Sequence, residues 1–326
     1  MLAVCAAAPS LACAPVPGEG RYVHLDTEEA LIIWDEAAQR QHFIRRASFE
    51  TDAKDFGFLV PTPAKPDLAE ADDRVFRELA AITVPTVRDP EKAATAKSMP
   101  KGAPAAVTVL EQKVVAGFDA AVLEASDAKA LDGWLKSHGY PSSPELVAWY
   151  EPYLARKWKI TAFKIAAGAP KLATAAVRMS FQTSRPFFPY REPAVRQPPD
   201  KKARERLLRV YFLADARFRG TVGDYEPWPG AAAVWSNTIG TAQLAELLKL
   251  VKLPPLAGGG GRRLTEFEDR SSPRPGTGEL FFERAADQST LERSAIYTGL
   301  SGLAILATAI LVILGGIWFL VKRRRA

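Results

Sequence analysis

The amino-acid sequence predicts an α+β domain, a largely antiparallel sheet with about four helices, followed by one C-terminal transmembrane helix. Three observations lead there. Short apolar or alternating segments recur from Ala30 to Phe181. Amphipathic segments with start and stop signals are scattered among them, without the strand-helix-strand regularity of a parallel sheet. Finally, AIYTGLSGLAILATAILVILGGIWFLV, from Ala295 to Val321, contains no charged residue and is long enough to cross the hydrocarbon core.

Residues 1–13 read as a signal peptide, with a short apolar stretch and small residues such as Ala12 that suit cleavage. No Lys or Arg precedes the apolar stretch, so either the start lies inside a longer signal or the chain inserts tail-first with its main domain in the cytoplasm. Cys5 and Cys13 are the two cysteines, and cleavage after Ala12 leaves no internal disulfide. Ser10-Leu11-Ala12-Cys13 departs from a lipoprotein cleavage box in the position of its Leu, and a chain that already holds a membrane span has little use for a second anchor.

Residues 14–255 form the main domain. Strands are expected at Ala30 to Trp34, Phe56 to Val60, Val107 to Val115 and Ala120 to Leu123. Further strands are marked by Trp158, Ile160 and Ala162 alternating with Lys159 and Thr161, and by Val177, Met179 and Phe181 alternating with Arg178, Ser180 and Gln182. Asp67, with Glu70 three residues on, reads as the cap of a first helix whose face carries Val75, Leu79 and Ile82. Ser126 caps a second, with Leu131, Trp134 and Leu135 inward and Gly139 ending it. Ser143 followed by Pro144 opens a third, and Thr241 a fourth, whose stripe is Leu244, Leu247, Leu248 and Val251.

From 256 to 294 the composition turns to Gly, Pro, Ser and charge, which reads as a flexible stalk. Its glycine run is no phosphate loop, since no strand precedes it and no Lys-Ser or Lys-Thr pair follows. Tyr297 and Trp318 stand near the two ends of the apolar run, where amphipathic rings favour the headgroup zone. The tail, 322–326, holds Lys322, Arg323, Arg324 and Arg325, which the positive-inside bias keeps in the cytoplasm and which therefore puts the main domain outside.

The formal charge of +6 is mostly this tail: without it 39 Lys and Arg face 37 Asp and Glu. A nearly neutral domain with no basic patch between aromatics excludes a nucleic-acid surface. The expected partner is the lipid bilayer, through Ala295 to Val321.

EEALIIWD at Glu28 to Asp35, HFIRRASF at His42 to Phe49 and DFGFLVPTPAKP at Asp55 to Pro66 resemble the opening blocks of the DUF2330 family. WLKSHGY at Trp134 to Tyr140 and MSFQTSRPFFPYR at Met179 to Arg191 are similar to its later blocks. The resemblance spans most of Cys13 to Val251. It implies an exported or membrane-anchored bacterial protein with one conserved fold and no assigned activity. Relatives often carry more cysteines near the mature N-terminus, so a family disulfide is in doubt here.

Candidate chemistry is sparse. His42 with Asp35, and Asp52 and Asp55 ahead of FGFLVPTP, could form an acid-base or metal cluster if folding brought them together. Their spacing matches no calcium loop or zinc motif, and half-buried strand positions explain them equally. No metal or cofactor is expected. Phe187, Phe188 and Tyr190 in RPFFPYREP could stack a sugar or peptide, or simply cover apolar surface. No Gly-x-Ser-x-Gly elbow supplies a nucleophile. These readings favour a binding or structural module of the bacterial envelope over an extracytoplasmic hydrolase or metal-dependent enzyme.

Overall fold

The computed structural model describes residues 15–16, 23–51, 55–83, 108–166, 171–173, 176–193, 206–223, 226–258, 260–271 and 278–293. The signal-like start, Cys13, Asp52, the apolar run and the basic tail lie outside the described residues. Of the two units into which contacts divide the chain, Met1–Arg293 and Ser294–Ala326, the first holds every described residue. Among those residues no helix is long and apolar enough to cross a membrane.

The strands run β1 (Pro15–Val16), β2 (Val23–Asp35), β3 (Arg40–Thr51), β4 (Asp55–Thr62), β5 (Asp67–Glu70), β6 (Thr108–Val115), β7 (Phe118–Glu124), β8 (Lys159–Ala166) and β9 (Lys171–Ala173). They continue with β10 (Val177–Gln182), β11 (Phe187–Phe188), β12 (Leu207–Ala214), β13 (Phe218–Val222), β14 (Glu226–Pro227), β15 (Ala231–Ile239), β16 (Arg262–Asp269) and β17 (Leu280–Arg284). The four described helices are α1 (Arg74–Thr83), α2 (Ala128–Ser137), α3 (Pro144–Ala155) and α4 (Thr241–Leu250).

Three sheets result. The large one has the path β15-β16-β12-β2-β3-β10-β5, with β9 added beside β3; a second has the order β1-β4-β8-β7-β6; a third the order β11-β17-β13-β14. Every pair is antiparallel except β12 with β2. The α+β reading with a largely antiparallel sheet and four helices therefore holds.

Alternation explains the layering. Ala30, Ile32 and Trp34 of β2 point into a core shared by all three sheets, together with Phe43, Phe58, Phe163, Phe212 and Phe282. Leu31 and Ile33 point the other way, where α1 and α4 cover them through Val75, Phe76, Leu79, Leu244 and Leu248. Likewise Leu59 and Ile160 turn outward from the second sheet onto α2 and α3, against Leu131, Leu135, Trp149 and Tyr150. Helices thus flank two face-packed sheets. Strands covered on both sides read as continuous apolar runs, which is why ALIIW shows no alternation.

Several local expectations need correction. The stalk is not one: β16 and β17 fall within 256–294. β16 is inserted between β15 and β12, and β17 between β11 and β13. Composition misled because the charges of RRLTEFED are themselves partly buried in paired strand. Asp67 does not cap a helix, because Asp67–Glu70 pairs with β10 as β5. The first helix starts at Arg74, whose N–H donates to Asp72 Oδ1 at 2.9 Å. The second is capped by Asp127, which accepts from Ala130 N, while Ser126 Oγ donates to Asp127 Oδ2. Ser143 caps the third as expected.

Two consequences are measurable. Phe58 stacks on Phe163 with centroids 4.6 Å apart and meets Phe118 edge-on at 5.6 Å. Phe58→Ala should cost about 3–5 kcal/mol of stability in denaturant melts, the cost of an emptied aromatic site. A fragment ending at Pro255 should fail to give a cooperative transition, since it strips β16 from the middle of the large sheet and β17 from the third. A fragment ending at Arg293 should give one.

Candidate functional site

His42 lies on β3, opposite Ser180 of β10, on the helix-covered face of the large sheet. Its Nδ1 is 2.8 Å from Ser180 Oγ. The surroundings are cationic. Arg178 Nη1 donates to the carbonyls of Val251 (2.9 Å) and Lys252 at the end of α4, and its Nη2 lies 3.4 Å from Asp67. Burial, reinforced by the charges of Arg40 and Arg178 and opposed by Asp35 and Asp67, lowers the imidazole pKa to about 4. His42 is therefore neutral at pH 7.

The other acidic candidates do not join it. Asp35 ends β2 close by, but its Oδ1 accepts from Ala38 N at 3.0 Å, shaping the β2–β3 turn. Asp55 begins β4 in the second sheet. His42 is near the start of β3 and Asp55 follows its end, so about 30 Å of strand separates them. Asp52 lies outside the described residues. Among the described residues no three His, Cys, Asp or Glu side chains are grouped to hold a metal ion.

The aromatic string lies inside the protein. Phe187, Phe188 and Tyr190 are all buried, Phe187 and Phe188 as β11 paired with β17. Tyr190 Oη donates to Asp269 Oδ2 at 2.7 Å, and Trp228 Nε1 to the same oxygen at 3.3 Å. Burial of an aromatic with its polar tip satisfied is a scaffold role.

Next to that string lies a buried polar node that reasoning from sequence missed. Glu279, nearly fully buried, accepts from Tyr153 Oη and from the backbone N–H of Tyr190 (2.9 Å) and Arg191 (3.4 Å). Desolvation raises its pKa, against the lowering by Tyr153 and Arg191. The Arg191 guanidinium stacks on Tyr153 at 4.6 Å and donates to Trp149 O, while Trp149 Nε1 donates back to Arg191 O at 2.7 Å. Beside this node, Pro144, Glu145, Ala148 and Trp149 of α3 face Arg191, Glu192 and Pro193 across a groove of about 410 Å³. The groove is mostly apolar, and Glu192 on its wall is buried against Arg206 at 2.8 Å, so what it offers a ligand is chiefly the apolar surface of Pro144, Ala148, Trp149 and Pro193. Arg191 adjoins the aromatic string and could have been suspected; Glu279 stands where the composition reads as stalk, and nothing flagged it.

The family model described as "Uncharacterized protein conserved in bacteria (DUF2330)" matches residues 6–270, and the chain belongs to that family. No curated protein matches. Among solved structures, one titled as the crystal structure of baculovirus P35 is 8% identical with TM-score 0.38, covering 87% of this chain and 100% of its own. A second, titled as a mutated baculovirus P35 after caspase cleavage, is 7% identical with TM-score 0.31 over 83% and 100%.

The His42 geometry sets a pH dependence. Its folded pKa of about 4 lies below the ordinary 6.5, so the unfolded chain binds the proton more readily and stability falls as pH drops from 6.5 toward 4. The loss attributable to this group should reach about 2–3 kcal/mol. His42→Gln should flatten that part of the denaturant-midpoint curve between pH 7 and 4.5.

Proposed function

We propose that this DUF2330 chain is a membrane-anchored extracytoplasmic binding or structural module of the bacterial envelope. In this reading Ala295 to Val321 crosses the bilayer and Lys322 to Arg325 stay in the cytoplasm. One observation carries it: the folded unit is still held by paired contacts at Leu291 and Arg293, immediately before the apolar run. Leu291 exchanges two backbone hydrogen bonds with Ser236, at 2.7 and 2.8 Å. Arg293 binds Glu266 and Glu268 at 2.6 and 2.9 Å. Ser294 alone stands between Arg293 and Ala295. A chain still fastened at Arg293 and then uncharged for a bilayer's thickness supports the anchored reading. The groove between α3 and residues 191–193 is the place where such a module would hold a ligand.

The rival reading, an extracytoplasmic hydrolase, has the His42–Ser180 hydrogen bond in its favour. Ser180 is 2% exposed, so its hydroxyl is not open to a substrate in this structure.

Topology is the decisive measurement. In spheroplasts carrying the chain with Cys5 and Cys13 replaced by Ser, a membrane-impermeant maleimide should label Lys136→Cys, at an exposed position on α2. It should reach Arg325→Cys only after permeabilisation. The reverse pattern would place the folded unit in the cytoplasm and overturn the reading.

A further inference from the structure

One stretch of the large sheet leaves its cations poorly answered. Elsewhere in the fold, guanidiniums withdrawn from solvent meet carboxylates closely: Arg45 lies 2.6 Å from Glu28, Arg206 2.8 Å from Glu192 and Arg293 2.6 Å from Glu266. Beside the β2–β3 turn, on the helix-covered face, the pattern breaks at Arg40 and Arg178. Half-buried Arg40 makes one hydrogen bond among the described residues, from Nη2 to Ser180 O at 3.5 Å, and no ion pair. Asp35 is its direct register partner on β2, but Asp35 Oδ1 is engaged by the Ala38 N–H of the turn. The Arg178 side chain is 9% exposed, and its carboxylate partner is Asp67, 3.4 Å away, with a side chain that is 59% exposed. Arg178 Nε, buried, has no hydrogen-bond partner among the described residues. Burial lowers the Arg178 pKa; Asp67 opposes the change and the charge of Arg40 adds to it.

Register explains how the two cations come together. Arg40 pairs with Gln182, His42 with Ser180 and Ile44 with Arg178, so these side chains of β3 and β10 share one face, with His42 and Ser180 between the two arginines. Asp67 of β5 stands opposite Ser180 on the other side of β10. Arg40 reaches forward to Ser180 and Arg178 reaches back to Asp67, so both guanidiniums arrive at the row His42, Ser180, Asp67 from opposite ends. Val251 O and Lys252 O, at the end of α4, hold Arg178 Nη1 and fix the guanidinium, which leaves Nη2 as its weakly held side. Two like charges set around one row repel, and an anion placed between them relieves the repulsion.

We propose that this row binds the phosphate group of a small phosphomonoester, with Arg40 and Arg178 Nη2 as its cationic partners and His42 Nε2 as a neutral donor. In that site the Ser180 hydroxyl donates to His42 Nδ1, which leaves the single proton of the neutral ring on Nε2, a nitrogen with no partner among the described residues. Asp67 is the group that the ligand displaces, since its one contact with Arg178 is long and its carboxylate is largely in solvent. Shape favours phosphate over carboxylate. A carboxylate offers two oxygens in one plane, which a single guanidinium already matches. Two guanidiniums approaching from opposite ends of a row, with a ring nitrogen between them, suit the three divergent oxygens of a phosphomonoester. The site is separate from the α3 groove and does not depend on the membrane-anchored reading.

The test uses the full chain in a neutral detergent, with carbon-13-labelled histidine, titrated at pH 7 and constant ionic strength with inorganic phosphate and, separately, with acetate. The His42 ring resonance, assigned by its absence from His42→Gln, should shift saturably with phosphate, whereas that of His138, on the far side of the second sheet's helices, should stay in place. Arg40→Gln, at a half-buried position, should weaken phosphate binding about tenfold, the loss of one charge-assisted contact, while keeping the parent thermal transition. Asp67→Asn removes the competing carboxylate and should tighten binding about threefold, a gain that a purely structural role for Asp67 would not give. Acetate should bind about tenfold more weakly than phosphate. No saturable shift of His42, an equal shift of His138, undiminished binding by folded Arg40→Gln, weaker binding by Asp67→Asn, or acetate binding as tightly as phosphate would each overturn the proposal.

Discussion

The constraint on which the rest depends is that β2, β3 and β12 carry apolar side chains on both faces. A single layer cannot satisfy such strands. One face needs the second and third sheets, which supply the phenylalanine-rich core, and the other needs α1 and α4. The second sheet inherits the same requirement through Leu59, Leu123 and Ile160 and meets it with α2 and α3. Close packing leaves little slack where these layers touch. Gly57 is an instance: a Cβ there would come within 2.4 Å of the Tyr140 ring and 2.9 Å of Phe163 O, so only glycine lets α2's trailing Tyr140 lie flat on β4.

Polar groups caught in those layers are answered in kind. Glu28 and Arg45 meet at 2.6 Å inside the central core, both buried, with the guanidinium 4.8 Å from the Phe58 ring. Removing one partner of such a pair costs far more than the pair itself contributes, about 3–5 kcal/mol. On the outer face a row of alternating charge crosses four neighbouring strands: Glu268 to Arg209 at 3.0 Å, Arg209 to Glu29 at 3.5 Å, Glu29 to Arg46 at 2.6 Å. Each pair is a direct register neighbour, so the row also fixes strand alignment. Although burial works against it, hydrogen bonds from Arg293 and Arg209 bring the Glu268 pKa down to about 2.

Much of this was legible in the sequence where one physical signal dominated. ALIIW, VRMSF and the Leu stripe of α4 declare themselves through periodicity, and Ser143-Pro144 through cap chemistry. What failed was composition. RRLTEFED looks like a solvated linker until Glu266 and Glu268 are seen facing Arg209 and Arg293; the compensating charges lie on other strands, invisible to a local window. Asp67 failed for a similar reason, since its pairing with β10 overrides a plausible cap. The site was less legible than the fold. His42 and Asp35 do lie near each other, but the aromatic string proved internal, and Glu279 acquires its meaning only from Tyr153 and Arg191, contributed by α3 and a distant loop.

That same misread stretch decides how the fold is closed. Residues 279–293 supply Glu279 to the α3 node, β17 to the third sheet, the Leu291 bridge to β15 and Arg293 to the charge row. Four contacts with four different parts of the molecule come from one short segment. Each is modest alone, but they share a backbone, so losing one loosens the next and the segment behaves as a unit. Withdrawing it would leave Glu266 and Glu268 short of a cation beneath low-dielectric surroundings and Tyr153 without its acceptor. Residues 279–293 are therefore part of the core's electrostatics. Displacing Arg293 would therefore disturb β15 and β16 together, through the Leu291 bridge and the carboxylates of Glu266 and Glu268.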